Sequence, residues 1–298
     1  MSVSASGMKV VYYTSGTTGS GRIVRGISIG NSFRRKATKV DFSIVSSSSF
    51  AYLADVFNIP HYEIPAETED KLGKDSYANS ELFRTLLRLK PDVLLIDLLW
   101  FPVYHFLDNL PCRSVFLWER LDERFFTIPL PGGAISYRPE KFDLVLAIEP
   151  FKGEGPEKQV NPLIIRDRDE IFSRDQAVQK LRLNPSKKSC LISIGGQPGD
   201  FERVMKEYCY LEDAGYQLVP TTYGKGLFPV VDYFNAFDLV ICGAGYNSFW
   251  EAIFFEKEAI FIPTKASFVS GERLIEEYQD YTFSENGADQ LVDIVLAI

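Results

Sequence analysis

Residues 238–263 read DLVICGAGYNSFWEAIFFEKEAIFIP. Asp238–Cys242 is a short apolar run of the kind that fills a strand buried on both faces. Gly243-Ala244-Gly245 interrupts it. Ser248–Glu256 then predicts a helix that packs through Phe249, Trp250, Phe254 and Phe255, and Ala259–Ile262 is a second apolar strand. A strand, a glycine turn, a helix and a strand in so short a span form a β-α-β unit, which requires parallel strands.

The same alternation extends in both directions. Upstream lie helix Arg174–Leu181, strand Ser189–Ile194, helix Phe201–Ala214, strand Gln217–Pro220 and helix Pro229–Phe237; downstream lies helix Ala288–Ala297. The N-terminal half repeats the pattern. Strand Met8–Thr14 precedes a helix carrying Ile23, Val24, Ile27 and Phe33, followed by strand Val40–Val45 and helix Ser48–Phe57. Leu82, Phe83, Leu86 and Leu87 mark one helix face, stopped by Lys90-Pro91, and strands Asp92–Leu98, Ser114–Trp118 and Asp143–Ile148 follow. Pro150–Pro162 has three prolines, two glycines and no periodicity, which predicts a linker. The expected architecture is α/β, with two Rossmann-like domains and a cleft between them. Residues 1–150 form the first domain, 151–162 the linker and 163–287 the second domain, with 288–298 as a helix packing back towards the first.

Composition limits the function classes. Of 298 residues, 46% are hydrophobic and 24% charged, which excludes a disordered chain, a collagen-like fibre and a small disulfide scaffold. Cys112, Cys190, Cys209 and Cys242 form no metal-binding spacing, and two histidines are too few for a structural zinc site. No apolar run has the length of a membrane span, and MSVSASG lacks the apolar region of a signal peptide, so a cytoplasmic protein is expected. Residues 1–150 hold 17 basic and 17 acidic side chains, whereas residues 151–298 hold 15 and 23, so the net −8 belongs to the second half. No basic stripe speaks for nucleic acid. The cluster Arg34, Arg35, Lys36 and Lys39 is either a weak contact to an anionic membrane surface or a solvated helix end.

Three glycine-bearing turns each follow a predicted strand, where open α/β sheets bind ligands. They are Ser15–Gly21 with Arg22 behind it, Gly195–Asp200, and Gly243–Ser248. None ends in the GK[ST] of a phosphate-binding P-loop, and none has the spacing of a nicotinamide dinucleotide site. In the third turn, glycines allow close backbone approach and the following helix offers N–H groups to an anion. Glu251 lies one turn along that helix, where a carboxylate accepts hydrogen bonds from ribose hydroxyls. The same residues also fit an ordinary capping box made by Asn247 or Ser248 with Glu251.

The stretch GAGYNSFWEAIFFEKEAIFIP resembles the donor-site signature of B-type-fold glycosyltransferases, in particular the group containing the N-acetylglucosaminyltransferase that forms lipid II. PLIIRDRDEIFSRDQAVQKLRLNPSKKSCLISIGGQPGD is similar to that group's linker, short helix and second-domain glycine loop. TSGTTGSGRIVRGISIGNSFRR is similar to its N-terminal loop and first helix. The resemblance implies an inverting, metal-independent transfer of a sugar from a nucleotide-diphosphate donor, a UDP-sugar by preference, to an acceptor hydroxyl. It needs no cofactor, the nucleotide sugar being a substrate. It places Gly195, Gly196 and Gln197 near the diphosphate or sugar, and Gly243, Gly245, Tyr246, Asn247 and Ser248 on the diphosphate. Glu251 falls on the ribose. Gly19 and Gly21, in the first-domain loop, are further candidates for binding the donor. The acceptor is a small molecule, a glycan or a lipid-linked group.

Two departures stand out. Where the family carries a histidine after the first loop, this chain has Arg22, which clamps charge but takes no proton at neutral pH. The base then falls to Asp97, His105 or Glu119, or is lost, leaving a non-catalytic nucleotide-sugar binder; an epimerase or hydrolase on the same scaffold is the other alternative. After the Ile262-Pro263 strand end, Glu272 is the candidate for the family's donor-sugar contact, and the second domain is one strand–helix unit shorter. Asp167-Arg168-Asp169 has the form of a metal-binding DxD, but the flanking arginines favour ion pairing. Trp100, Phe101 and Tyr104 are either core or a sugar platform.

Overall fold

The computed structural model describes residues 7–16, 19–130, 133–195, 199–222, 226–263, 268 and 270–298. The chain divides into two compact units. Unit 1 is Met1–Leu163 with Gly287–Ile298, and unit 2 is Ile164–Asn286.

Unit 1 is built on β1 (Lys9–Thr14), β2 (Asp41–Ser46), β3 (His61–Glu63), β4 (Val93–Asp97), β5 (Arg113–Trp118), β8 (Leu144–Ala147) and β9 (Lys158–Gln159). They form a parallel sheet of order β3-β2-β1-β4-β5-β8-β9. An antiparallel hairpin, β6 (Thr127–Leu130) with β7 (Gly133–Ser136), connects β5 to β8. β1 and β4 are buried almost end to end because both faces of the sheet are covered. Helix α1 (Gly21–Arg35) lies on one face. A Cβ at Gly26 would sit 2.7 Å from the Tyr12 ring, and one at Gly30 would sit 2.7 Å from Ile59, so these two glycines set how closely the helix approaches the strands. The other face carries α2 (Glu69–Leu72) and α3 (Glu81–Leu89). Ser80 caps α3 by accepting from the Phe83 N–H at 3.2 Å, and both oxygens of Glu67 accept from the Glu81 and Leu82 N–H groups.

Unit 2 is a smaller parallel sheet of β10 (Ser189–Ser193), β11 (Gln217–Thr221), β12 (Leu239–Gly243) and β13 (Ala259–Ile262), in the order β11-β10-β12-β13. Its helices are α4 (Arg174–Leu181), α5 (Asp200–Tyr208), α6 (Tyr210–Asp213), α7 (Tyr246–Phe254) and α8 (Gly271–Tyr278). Both units are therefore Rossmann-like.

Several sequence expectations change. The stretch 151–162, read as a linker, belongs to unit 1: Lys158–Gln159 extend the sheet beside β8, and the Phe151 ring packs 5.1 Å from Trp118. Short β pairing escapes a search for apolar periodicity. Residues 51–57 and 230–236 form 3-10 rather than α-helix. The hairpin, β3 and α8 had no sequence signal strong enough to assign them.

Helix α9 (Gly287–Leu296) packs on α1 in unit 1. Asp289 accepts from Arg35 at 2.6 Å and from the Ser32 hydroxyl, and Lys36 pairs with Asp293 at 2.6 Å. Arg34 donates to the carbonyls of Phe57 and Asn58. Three of the four basic residues considered for a membrane surface are thus engaged within unit 1. No helix of the described residues is long and apolar enough to cross a membrane. The clasp is partly exposed, so Asp289→Ala is expected to destabilise unit 1 by about 1–2 kcal/mol at low salt and by less in 1 M salt, read by urea unfolding.

Candidate functional site

In unit 2 the strand order reverses between β10 and β12, so their carboxyl ends flank the crevice where an open parallel sheet binds ligands. Ser193 and Cys242 are paired there in register. Gly195 follows β10, and Gly199, with φ +92°, leads into α5; Gly196 and Gln197 lie outside the described residues. Gly243 ends β12, and the Ala244 N–H donates to the Ile262 carbonyl at 2.7 Å, tying the turn to β13.

Helix α7 begins at Tyr246 with Gly245 as its N-cap. It has no side-chain cap and no acidic residue in its first turn. The capping-box alternative is therefore absent: Asn247 and Ser248 sit inside the helix, and Glu251 follows them by four and three residues on one face. Among the described residues, a Cβ built on Gly245 would meet nothing within 4 Å. The helix N-terminus presents its positive dipole end there.

Glu251 is 6% exposed. Among the described residues its carboxylate makes no hydrogen bond or ion pair. Burial, and secondarily the negative charge of Asp232, push its carboxyl up to about 8. Asp232 itself is held by Arg166, which donates at 2.7 and 3.1 Å. A buried acid without partners, one turn below an uncapped helix N-terminus, is an acceptor waiting for donors. Glu272 stands exposed in the first turn of α8, with no hydrogen bond or ion pair to the α7 turn. Phe249, Trp250 and Phe254 are buried and pack the helix. In the DxD segment, Asp167 accepts from the Arg168 N–H, and the Arg168 guanidinium pairs with Glu256 at 2.8 Å.

In unit 1 the order reverses between β1 and β4. The loop after β1 contains Gly19, with φ +79°, and ends at Gly21, the first residue of α1. Arg22 donates to the Ser15 carbonyl at 2.7 Å. The candidate bases Asp97 and Glu119 are not available for that work. Arg25, itself 3% exposed, donates to both oxygens of Asp97 at 3.0 and 2.8 Å and to Glu119 at 2.7 Å. The Tyr12 hydroxyl also contacts Asp97, and it lies 2.6 Å from the Arg22 carbonyl. Asp97 and Glu119 are thus the counter-ions of a buried guanidinium that joins α1 to the ends of β4 and β5. Sequence reading missed Arg25, since a lone arginine in an amphipathic helix reads as solvent-facing. Its one sequence signal is that it and Arg22 put two cations near a helix N-terminus, where the dipole disfavours them.

His105 is half-buried, its ring 5.2 Å from that of Tyr104. Burial first, then Lys141, lowers its pKa. It has no bond to Arg22, Arg25 or Asp97. Trp100 and Phe101 are buried, with the Trp100 indole N–H donating to the Phe125 carbonyl at 3.2 Å, so they are core rather than platform.

No family model and no curated protein matches the sequence. Solved structures match its fold across nearly the whole chain. The spinosyn forosaminyltransferase SpnP superposes with a TM-score of 0.62 at 11% identity, over 98% of this chain and 91% of that one. Acinetobacter baumannii MurG gives 0.54 at 13% identity, over 97% and 91%. A Staphylococcus aureus MnaA–UDP co-structure gives 0.54 at 12%, over 98% and 88%. These likenesses show the two-domain fold of B-type glycosyltransferases.

Proposed function

We propose that the chain is a glycosyltransferase that takes a nucleotide-diphosphate sugar, by preference a UDP-sugar, on unit 2 and passes the sugar to an acceptor with inversion and without a resident metal. The carrying observation is Glu251, buried and, among the described residues, unpartnered one turn below the uncapped N-terminus of α7. In this reading the diphosphate lies against Gly243, Gly245, Tyr246, Asn247 and Ser248. The β10 loop, with Gly195, Gly196 and Gln197, contributes the second wall, and Glu272 reaches the sugar.

The ribose hydroxyls donate to Glu251. As the diphosphate leaves, charge grows where the helix N-terminus already supplies oriented dipoles, which cost no reorganisation during the reaction. Support comes from the shared fold of SpnP, a transferase by name, and of MnaA, solved with UDP.

Gly245→Val tests it. Its φ of −91° suits any residue and, among the described residues, an added Cβ meets nothing within 4 Å, so folding is expected to be unchanged. The added side chain fills the space the diphosphate needs, and calorimetry is expected to show UDP affinity reduced at least 30-fold. Unchanged affinity rejects this site. A second reading, a binder without turnover, is favoured by the engagement of Asp97 and Glu119 with Arg25. It predicts nucleotide-sugar binding with no product across an acceptor panel.

A further inference from the structure

The sheet of unit 1 ends on an open edge. β3 is its outermost strand, and among the described residues no strand pairs with its outer side. The Ile44 N–H donates to the Pro60 carbonyl at 2.9 Å, and the Ile64 N–H donates to the Ser46 carbonyl at 3.0 Å. In a parallel ladder this turns Tyr62 towards β2 as well, so the N–H and C=O groups of His61 and Glu63 point outwards. The opposite edge of the same sheet is blunted, since β9 is two residues long and carries Lys158. β3 has neither proline nor lysine.

The surface around this edge is apolar. Tyr62 is 37% exposed, and Tyr52 and Val56, on the 3-10 segment that packs on β3, are 50% and 57% exposed. The charges along the edge are ordered. His61 and Glu63 share one face of the strand, and Tyr62 takes the other. The His61 ring lies 3.5 Å from Asp55 and 3.9 Å from Glu63.

We infer that β3 pairs antiparallel with β3 of a second copy of this chain, about a twofold axis through Tyr62. In this register the outward groups of His61 and Glu63 bond to those of the second copy, with every N–H facing a carbonyl. His61 stands opposite the second copy's Glu63, and Glu63 opposite its His61. A neutral or a charged imidazole has an N–H to donate to that carboxylate. The two Tyr62 side chains meet across the axis as a cross-strand aromatic pair. A second copy is the occupant because the edge complements itself: one sequence supplies the imidazole and the carboxylate at both ends. The inference does not depend on glycosyl transfer.

Sedimentation of the full chain from about 1 to 100 μM is expected to show a reversible dimer, weak because so short an edge buries less than the roughly 1,600 Å² of a standard interface. Glu63→Pro removes one outward N–H and no bond to β2. Melting is expected to be unchanged and the dimer's dissociation constant to rise about tenfold or more. Glu63→Lys, which sets a cation against His61, is expected to weaken the dimer by a similar factor. His61→Lys keeps a donor opposite Glu63 and is expected to stay within about threefold of wild type. In a chain whose exposed Cys209 is changed to serine, Tyr62→Cys is expected to give a disulfide-linked dimer under mild oxidation. Residues opposite each other at such a position lie about 4.5 Å apart at Cα, within disulfide reach. Glu63→Cys, two positions out of register with its own copy, is expected to give none. A chain that stays monomeric at the highest concentration overturns the pairing, and is the result expected if a different protein takes this edge. A dimer indifferent to both Glu63→Pro and Glu63→Lys, or one that cross-links through Glu63→Cys and not through Tyr62→Cys, overturns it as well.

Discussion

Glu251→Ala is expected to weaken UDP binding about 30- to 300-fold. Two ribose hydroxyls donating to a carboxylate in a buried setting contribute roughly 2 to 3.5 kcal/mol, and each 1.4 kcal/mol is about tenfold. The pH dependence is the sharper signature. In the free chain the Glu251 carboxyl is pushed up from its ordinary 4.5 to about 8, so the folded state holds a proton that the unfolded state has lost between those values. Stability from this group is then full below pH 4.5 and falls as pH rises through 8. Glu251→Gln removes the loss. Its unfolding free energy is expected to match wild type near pH 4.5 and to exceed it by on the order of 3–5 kcal/mol at pH 8.5. Hydroxyl donors favour the carboxylate, so wild-type UDP binding is expected to release a proton below pH 8, seen as buffer-dependent heat. Heat independent of buffer counts against a buried acid on the ribose.

Arg25→Met is the second large effect, on stability. It leaves Asp97 and Glu119 buried without their cation, at 0% and 2% exposure. Breaking a buried ion network from one side costs about 3–5 kcal/mol, which lowers the melting transition of unit 1 by roughly 10 °C. Adding Asp97→Asn and Glu119→Gln is expected to restore part of the loss at neutral pH. If Asp97 or Glu119 were instead a free base, its single amide variant would abolish transfer with no change in melting.

The β-α-β unit at 238–263 was legible because buried parallel strands and the helix between them announce themselves as apolar runs broken by glycine. Gly245 and Glu251 were legible for the same reason: their spacing fixes where they fall on α7. What the sequence hides is pairing. Nothing local tells that Arg25 reaches across to Asp97 and Glu119, 72 and 94 positions away, so two carboxylates looked like bases. Lys158–Gln159 are polar and two residues long, so their place at the sheet edge left no periodic trace. Arg34–Lys36 resembled a free basic cluster because their acceptors, Phe57, Asn58, Asp289 and Asp293, lie far along the chain. Gly196 and Gln197 stay outside the described residues, and their part in the donor site is proposed on resemblance.

We propose that unit 2 holds a nucleoside diphosphate between the β10 and β12 turns. A crystal structure of the full chain with uridine diphosphate tests it most directly. The diphosphate is expected against Gly245 and the first turn of α7, with the ribose hydroxyls within about 3.2 Å of the Glu251 carboxylate, the reach of an ordinary hydrogen bond. Nucleotide seated elsewhere, with Glu251 still buried and unpartnered, would contradict it.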